Sequence, residues 1–206
     1  MTPLYWMGYT LCNLVGKIAF DFQVYGRENF IEEGAAILAS NHQSYLDPPC
    51  VGMACRNEIY YLARNTLYQR PLIGPLLKRL NTVPVDRDRG DVSSIKTIIR
   101  LLRSGHRVII FPEGTRSTDG KLQPARAGLG MIIAKTLAPV VPVRVFGSFD
   151  ALPRAGGLKF RSVSVVVGKP MRFTKDDVKG DRDVYQILSN QVMEQIASLK
   201  LPDGRS

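Results

Sequence analysis

The chain has 206 residues, 45% of them hydrophobic, which is enough for one domain with a sizeable core and too little for two ordinary ones. With 22% charged residues, 18 Gly and 13 Pro, it is not a collagen-like, coiled-coil or low-complexity chain. Lys and Arg number 28 against 18 Asp and Glu, and the net charge of +10 favours an anionic partner: nucleic acid, a phosphorylated substrate or an acidic lipid surface.

In chain order, residues 1–16 carry no charged side chain, yet the stretch is shorter than the ~20 apolar residues of a spanning helix. It also lacks the basic start and small-residue cleavage site of a secretory signal, so neither a transmembrane anchor nor export is expected. Leu4, Gly8, Leu11, Val15 and Ile18 recur at helical spacing, with Tyr5, Trp6 and Tyr9 as amphipathic rings near the start. Residues 1–20 therefore read as an amphipathic helix that either lies in a lipid interface or packs on the protein's own core, and periodicity does not choose between them. The remainder, 21–206, reads as one domain.

Short apolar runs then alternate with helical patterns, which predicts an α/β fold: a single layered domain with a central, mostly β-sheet flanked by helices. Strands are expected over 22–25, 36–39, 59–63, 82–85, 107–111, 140–146 and 163–167, and helices over 48–55, 72–80, 92–104, 128–137 and 184–199. The 92–104 segment is the clearest helix, since Ile95, Ile98, Ile99, Leu101 and Leu102 form one apolar side and Gly105 can stop it.

Residues 1–50 hold two Lys/Arg against five Asp/Glu, and residues 51–175 hold 22 against seven, so the basic character belongs to the middle of the chain. No Lys/Arg block with interleaved aromatics occurs there, and no nucleic-acid partner is expected. Cys12, Cys50 and Cys55 have neither disulfide nor zinc-knuckle spacing, which suits reduced thiols. His42 and His106 are the two histidines and lie far apart in sequence, so no metal centre is expected.

Two stretches carry chemistry. In Asn41-His42-Gln43-Ser44-Tyr45-Leu46-Asp47-Pro48, polar groups cluster where a strand stops and a proline opens a helix. On a regular helix, residues five apart point ~140° away from each other, so His42 and Asp47 meet only if the turn doubles back. A carboxylate on one imidazole nitrogen would fix the tautomer and free the other nitrogen to take a proton from a hydroxyl. The alternative is a structural turn histidine with Asp47 as a helix cap. Gly-x-Ser-x-Gly is absent, so a serine nucleophile is disfavoured.

In the second stretch, Phe111-Pro112-Glu113-Gly114-Thr115-Arg116-Ser117, a strand runs into a Pro/Gly turn. Arg116 can grip a phosphate, Thr115 and Ser117 can donate hydroxyl hydrogen bonds, and Gly114 lets backbone amides approach a ligand. Glu113 can receive a bond from a ligand hydroxyl or brace an arginine. Val83-Pro84-Val85-Asp86-Arg87 delivers a further arginine. Against this stands a solvated salt-bridge face, which is what most surface charges are.

In order and spacing these stretches resemble the glycerophospholipid acyltransferase family, specifically the lysophosphatidate (1-acylglycerol-3-phosphate) acyltransferases. His42 to Asp47 matches the His-x4-Asp motif, Val85-Asp86-Arg87 the second block, Phe111 to Ser117 the third and Val141-Pro142-Val143 the fourth. The resemblance implies that His42 is the base that deprotonates an acceptor hydroxyl, with Asp47 orienting it. It implies that Arg87, Glu113, Gly114, Thr115 and Arg116 bind the glycerol phosphate end of the acceptor, and that the fourth block serves the acyl donor or the shape of the site. The donor would be an acyl thioester, acyl-CoA or acyl carrier protein, with no cofactor and no metal. The partners would be a lysophospholipid acceptor and an anionic membrane surface, and the location the cytoplasmic face of a membrane. Where members commonly read Phe-Lys-x-Gly after the third block, this chain reads Ala125-Arg126-Ala127-Gly128. Arg126 keeps the charge of a phosphate contact but not its geometry. The acceptor could then be another lysolipid or glycerol 3-phosphate, and a non-catalytic module that binds anionic lipid is the alternative outside enzymology.

Overall fold

The computed structural model describes residues 3–71, 74–75, 77, 80–85, 91–153, 156–180 and 183–202. Its strands are β1 (Gln23–Tyr25), β2 (Ala36–Ser40), β3 (Tyr61–Arg64), β4 (Thr82–Val85), β5 (Arg107–Ile110), β6 (Val140–Phe146) and β7 (Ser164–Val167). The helices are α1 (Pro3–Phe20), α2 (Asp47–Ala54), α3 (Asn65–Tyr68), α4 (Asp91–Arg103), α5 (Gly128–Thr136), α6 (Ser148–Ala151) and α7 (Asp183–Ser198). Each expected strand is present within two residues of its expected ends. The helix expected over 72–80 lies largely outside the described residues, and the other expected helices are present. Sequence periodicity misses α3 and α6, because a single turn is too short to repeat an apolar position.

Five strands form one sheet in the order β1-β7-β6-β2-β5, while β3 and β4 pair separately in parallel. A parallel bridge between Tyr60 and Val108 joins the two. Central strand β2 runs parallel to both neighbours, with Ala39 opposite Ile110 of β5 and Ser40 opposite Val143 of β6. Shared direction decides where the site forms: β2, β5 and β6 end at the same edge of the sheet, so the segments that follow them emerge side by side.

All five residues of β2 are buried, and successive side chains face opposite sides. Leu38 packs with Cys50, Val51 and Ala54 of α2, whereas Ile37 and Ala39 pack with Ile98 and Leu102 of α4, Ile132 and Ile133 of α5 and Val192 of α7. Full burial of each large aliphatic side chain contributes about 1.5–3 kcal/mol. Helix α4 stops where expected: Gly105 adopts φ +82°, and the N–H of His106 returns to the Leu101 carbonyl.

Helix α1 turns a different face inward from the one its aliphatic spacing suggests. Tyr5 is buried and its hydroxyl accepts the Ile59 N–H at 3.3 Å. Tyr9 donates to the Met53 carbonyl at 3.4 Å, and Gly16 lies against Met53 and Phe22. The inward stripe is thus aromatic and small, while Trp6, Leu11, Leu14, Val15 and Ile18 are exposed. No helix among the described residues is long and apolar enough to cross a membrane.

Candidate active site

The segment after β2 doubles back, as the His42 and Asp47 pairing requires. Asp47 opens α2, but its carboxylate does not cap that helix; it reaches back over the preceding turn. Its Oδ2 accepts the N–H groups of Gln43 at 2.6 Å and Ser44 at 2.7 Å and faces His42 Nδ1 at 2.8 Å. Asp47 is fully buried and the His42 side chain is 12% exposed. The imidazole stacks on Phe111, with ring centroids 3.9 Å apart and planes 17° from parallel. With Nδ1 assigned to Asp47, the Nε2 side of the ring is the one available to a substrate in the cavity that His42 lines.

Five hydrogen bonds fix this turn. Asn41 exchanges two with the Val145 main chain, donating Nδ2–H to the carbonyl at 3.0 Å and accepting the N–H at 2.8 Å. Gln43 donates Nε2–H to the Val145 carbonyl and to Ser148 Oγ, each at 3.1 Å. Ser148, fully buried at the start of α6, donates to Asp47 Oδ1 at 2.5 Å and completes the carboxylate's partners.

Glu113 behaves differently from its sequence expectation. It is 3% exposed, and its oxygens accept main-chain N–H groups, Oε1 that of His42 at 2.9 Å and Oε2 that of Gln123 at 3.3 Å. It therefore braces the His42 turn and is not among the residues that line the cavity. Burial pushes its carboxyl up from the ordinary 4.5 to about 7; the two N–H donors work against that rise and Asp47 adds to it. Gly114 has φ +70°, and its N–H is committed to the Phe111 carbonyl, so its part is to make the turn. A Cβ there would sit 2.8 Å from Arg126 Cδ, which puts Arg126 directly over Gly114. Ser117 is likewise turned to the protein: its N–H donates to the His42 carbonyl at 2.8 Å and its hydroxyl to Asp119 at 2.9 Å.

Arg116 and Thr115 face the same cavity as His42, Tyr45 and Phe111. The Arg116 guanidinium lies 3.5 Å from the Tyr45 ring centroid, and its Nη1 is buried with no hydrogen-bond partner among the described residues. A buried, unsatisfied cationic donor is costly unless an anion completes it, so this group is suited to a phosphate. Arg126 is exposed and does not line the cavity, and Arg87 lies outside the described residues. The cavity, of about 670 Å³, runs from His42 and Arg116 between α1, α2 and the β3–β4 unit, along Tyr9, Met53, Leu62 and Leu67. Polar groups at His42, Thr115 and Arg116 and apolar side chains at Met53, Leu62 and Leu67 share its lining.

Of the residues named from sequence, the structure brings His42 to Asp47 and sets Thr115 and Arg116 in the His42 cavity; Ser148, Phe111 as a ring support and Tyr45 as a platform are not named. Tyr45 and Phe111 sit inside the two motifs and could have been named from them. Ser148 has no local signal. No group of three or more His, Cys, Asp or Glu among the described residues could hold a metal ion.

A family model described as Acyltransferase matches residues 21–146. The chain is 33% identical over 152 residues to the 1-acyl-sn-glycerol-3-phosphate acyltransferase of Bacillus subtilis (strain 168), which covers 72% of this chain and 73% of the relative. It is 32% identical over 163 residues to a chloroplastic 1-acyl-sn-glycerol-3-phosphate acyltransferase of Brassica napus, covering 77% of this chain and 47% of the relative. The chain thus spans about half the length of that relative. The crystal structure of the 1-acyl-sn-glycerophosphate acyltransferase PlsC from Thermotoga maritima superposes with a TM-score of 0.74 at 24% identity, covering 96% of this chain and 83% of that one, and has the same fold. The chain belongs to the acyltransferase family, together with these 1-acyl-sn-glycerol-3-phosphate acyltransferases.

Proposed function

We propose that the chain transfers a fatty acyl group from an acyl thioester to the sn-2 hydroxyl of lysophosphatidate, giving phosphatidate. The observation that carries this reading is one cavity holding both an imidazole backed by a buried carboxylate and a cationic donor without a partner. His42 Nε2 takes the acceptor hydroxyl proton while Asp47 steadies the imidazolium. The hydroxyl oxygen attacks the thioester carbonyl carbon, the C–S bond breaks, and the imidazolium returns the proton to the leaving thiolate. A thioester is already activated, so positioning and general-base help suffice without a covalent intermediate. Arg116 and Thr115 hold the phosphate, with Arg87 and Arg126 as further cations of the basic middle segment. The acyl chain lies along the apolar interior of the cavity.

The donor is acyl-CoA or acyl carrier protein. Residues 21–206 form the catalytic domain, and residues 1–20 seat it on the cytoplasmic face of an anionic membrane. The exposed Trp6, Leu11, Leu14 and Ile18 support that seating, because an apolar face of this size on one helix suits a lipid interface. The test is turnover of lysophosphatidate with each donor supplied, the product being identified by mass. His42→Ala is expected to fold normally and to lose about 10²–10⁴ in rate. Retained turnover in that variant overturns the base assignment.

A further inference from the structure

Asp47 has two oxygens with different neighbours. Oδ2 is bonded by the N–H groups of Gln43 and Ser44, which belong to the same short turn as His42 and move with it. Oδ1 is bonded by Ser148, which is 101 residues away in sequence and starts α6 directly after the turn that ends β6. The direction of the Ser148 proton follows from its surroundings. The Gln43 side-chain nitrogen must be a donor, since it faces the Val145 carbonyl, and the same nitrogen approaches Ser148 Oγ at 3.1 Å. Ser148 Oγ therefore accepts from Gln43 and directs its own proton to Asp47 at 2.5 Å. Gly147 fixes the hydroxyl in space: it adopts φ +75°, and a Cβ there would come within 2.1 Å of the Ser162 carbonyl oxygen.

We infer that Ser148 is a positioning residue of the acyl-transfer site, whose hydroxyl ties Asp47 Oδ1 to the end of β6 and so keeps Oδ2 in line with His42 Nδ1. The inference rests on the proposed base role of His42. Ser148 touches no substrate; it acts through Asp47. Without its hydroxyl, Oδ1 is a buried acceptor lacking its donor, the carboxylate is held through Oδ2 alone by the His42 turn, and the Nδ1–H tautomer of His42 loses a partner anchored to β6.

Ser148→Ala and Ser148→Thr, with His42→Ala alongside, test this in steady-state acyl transfer to lysophosphatidate, with acyl-CoA and acyl carrier protein donors each supplied. Histidine-selective ¹⁵N spectra report ring tautomers, and His106 serves as the internal reference, since the chain has two histidines. In Ser148→Ala, kcat is expected to fall roughly 10- to 100-fold, the range for losing a hydrogen bond to a charged group. KM should stay within about twofold, since Ser148 contacts no substrate. The His42 ring should become a mixture of tautomers while His106 is unchanged, and Ser148→Thr should restore both signals by restoring the hydroxyl. Unchanged kcat in Ser148→Ala, or a fall in kcat with the His42 tautomer intact, overturns the inference. If Ser148→Ala does not fold, Ser148→Cys, which keeps a weaker donor of similar size, is read by the same criteria. A His42→Ala variant that still turns over removes the base role itself, whereas an inactive His42→Ala beside a fully active Ser148→Ala removes only the role of Ser148.

Discussion

The main-chain N–H of His42 donates to Glu113 Oε1 at 2.9 Å, across 71 residues of sequence. In return, the N–H of Ser117 donates to the His42 carbonyl at 2.8 Å. The base motif and the anion motif are therefore stitched through the backbone of the histidine, and displacing one loop displaces the other.

Burial gives Glu113 a pH signature, which this bond partly offsets. A carboxyl whose pKa rises from the ordinary 4.5 to about 7 on folding binds its proton more tightly in the folded chain than in the unfolded one. Its contribution to stability is fully present below pH 4.5 and is lost as the pH rises through about 7. Urea melts of the wild type and Glu113→Gln at about pH 5 and about pH 8 read this directly. The wild type should lose more stability than the variant over that interval, and equal losses would show that Glu113 titrates normally.

Arg116→Ala should lower kcat/KM for lysophosphatidate roughly 10- to 100-fold, from loss of a charge-assisted hydrogen bond. A phosphate-free monoacylglycerol should be affected far less. Arg116→Lys keeps the charge but not the planar fork or the stacking on Tyr45, and is expected to recover part of the loss. Equal effects on both acceptors would remove the phosphate clamp.

Gly130 lies inside α5, where alanine would ordinarily favour a helix by about 1 kcal/mol. Here the sign should reverse, because a Cβ at Gly130 would stand 1.9 Å from the Tyr185 carbonyl oxygen of α7. The Gly130 N–H also donates to Ser189 Oγ at 2.8 Å, so the two helices approach at backbone distance. Gly130→Ala should cost about 1–3 kcal/mol in urea unfolding, and a stabilised variant would mean that α7 shifts without cost.

The outward face of α1 predicts a separation of binding from chemistry. Leu11→Ser with Ile18→Ser removes two exposed apolar side chains that do not line the cavity. Sedimentation with phosphatidylglycerol-containing vesicles should show binding weakened by roughly tenfold or more, given about 0.8 kcal/mol per buried methylene. Turnover of a detergent-dispersed acceptor should be retained. Unchanged vesicle binding would exclude this face as the lipid contact.

Much of the architecture was legible from local sequence. Runs such as Ala36-Ile37-Leu38-Ala39 and Val140 to Phe146 bury nearly every residue, so they read as central strands without help from the rest of the chain. Helix α4 was legible through its apolar side and its stopping glycine. The inward face of α1 was not, because a helix that packs through Tyr5, Tyr9 and Gly16 has an aliphatic stripe on the wrong side for a periodicity reading.

The site divides in the same way. His42, Asp47 and Arg116 could be named from their own motifs, since a polar cluster between a strand end and a proline, or an arginine in a Pro/Gly turn, is a local pattern. Local pattern did not show the structural part of Glu113: its type allowed a ligand contact, and its hold on the His42 main chain appears only in the fold. Sequence alone thus determined the α/β alternation and the candidate residues for the proposed chemistry, because these depend on side-chain type and near-neighbour spacing. Only the tertiary structure decided that Ser148 bonds Asp47, that Glu113 holds His42 and that Arg116 faces the same cavity. These contacts exist because parallel pairing of β2 with β5 and β6 brings three distant chain segments to one edge of the sheet.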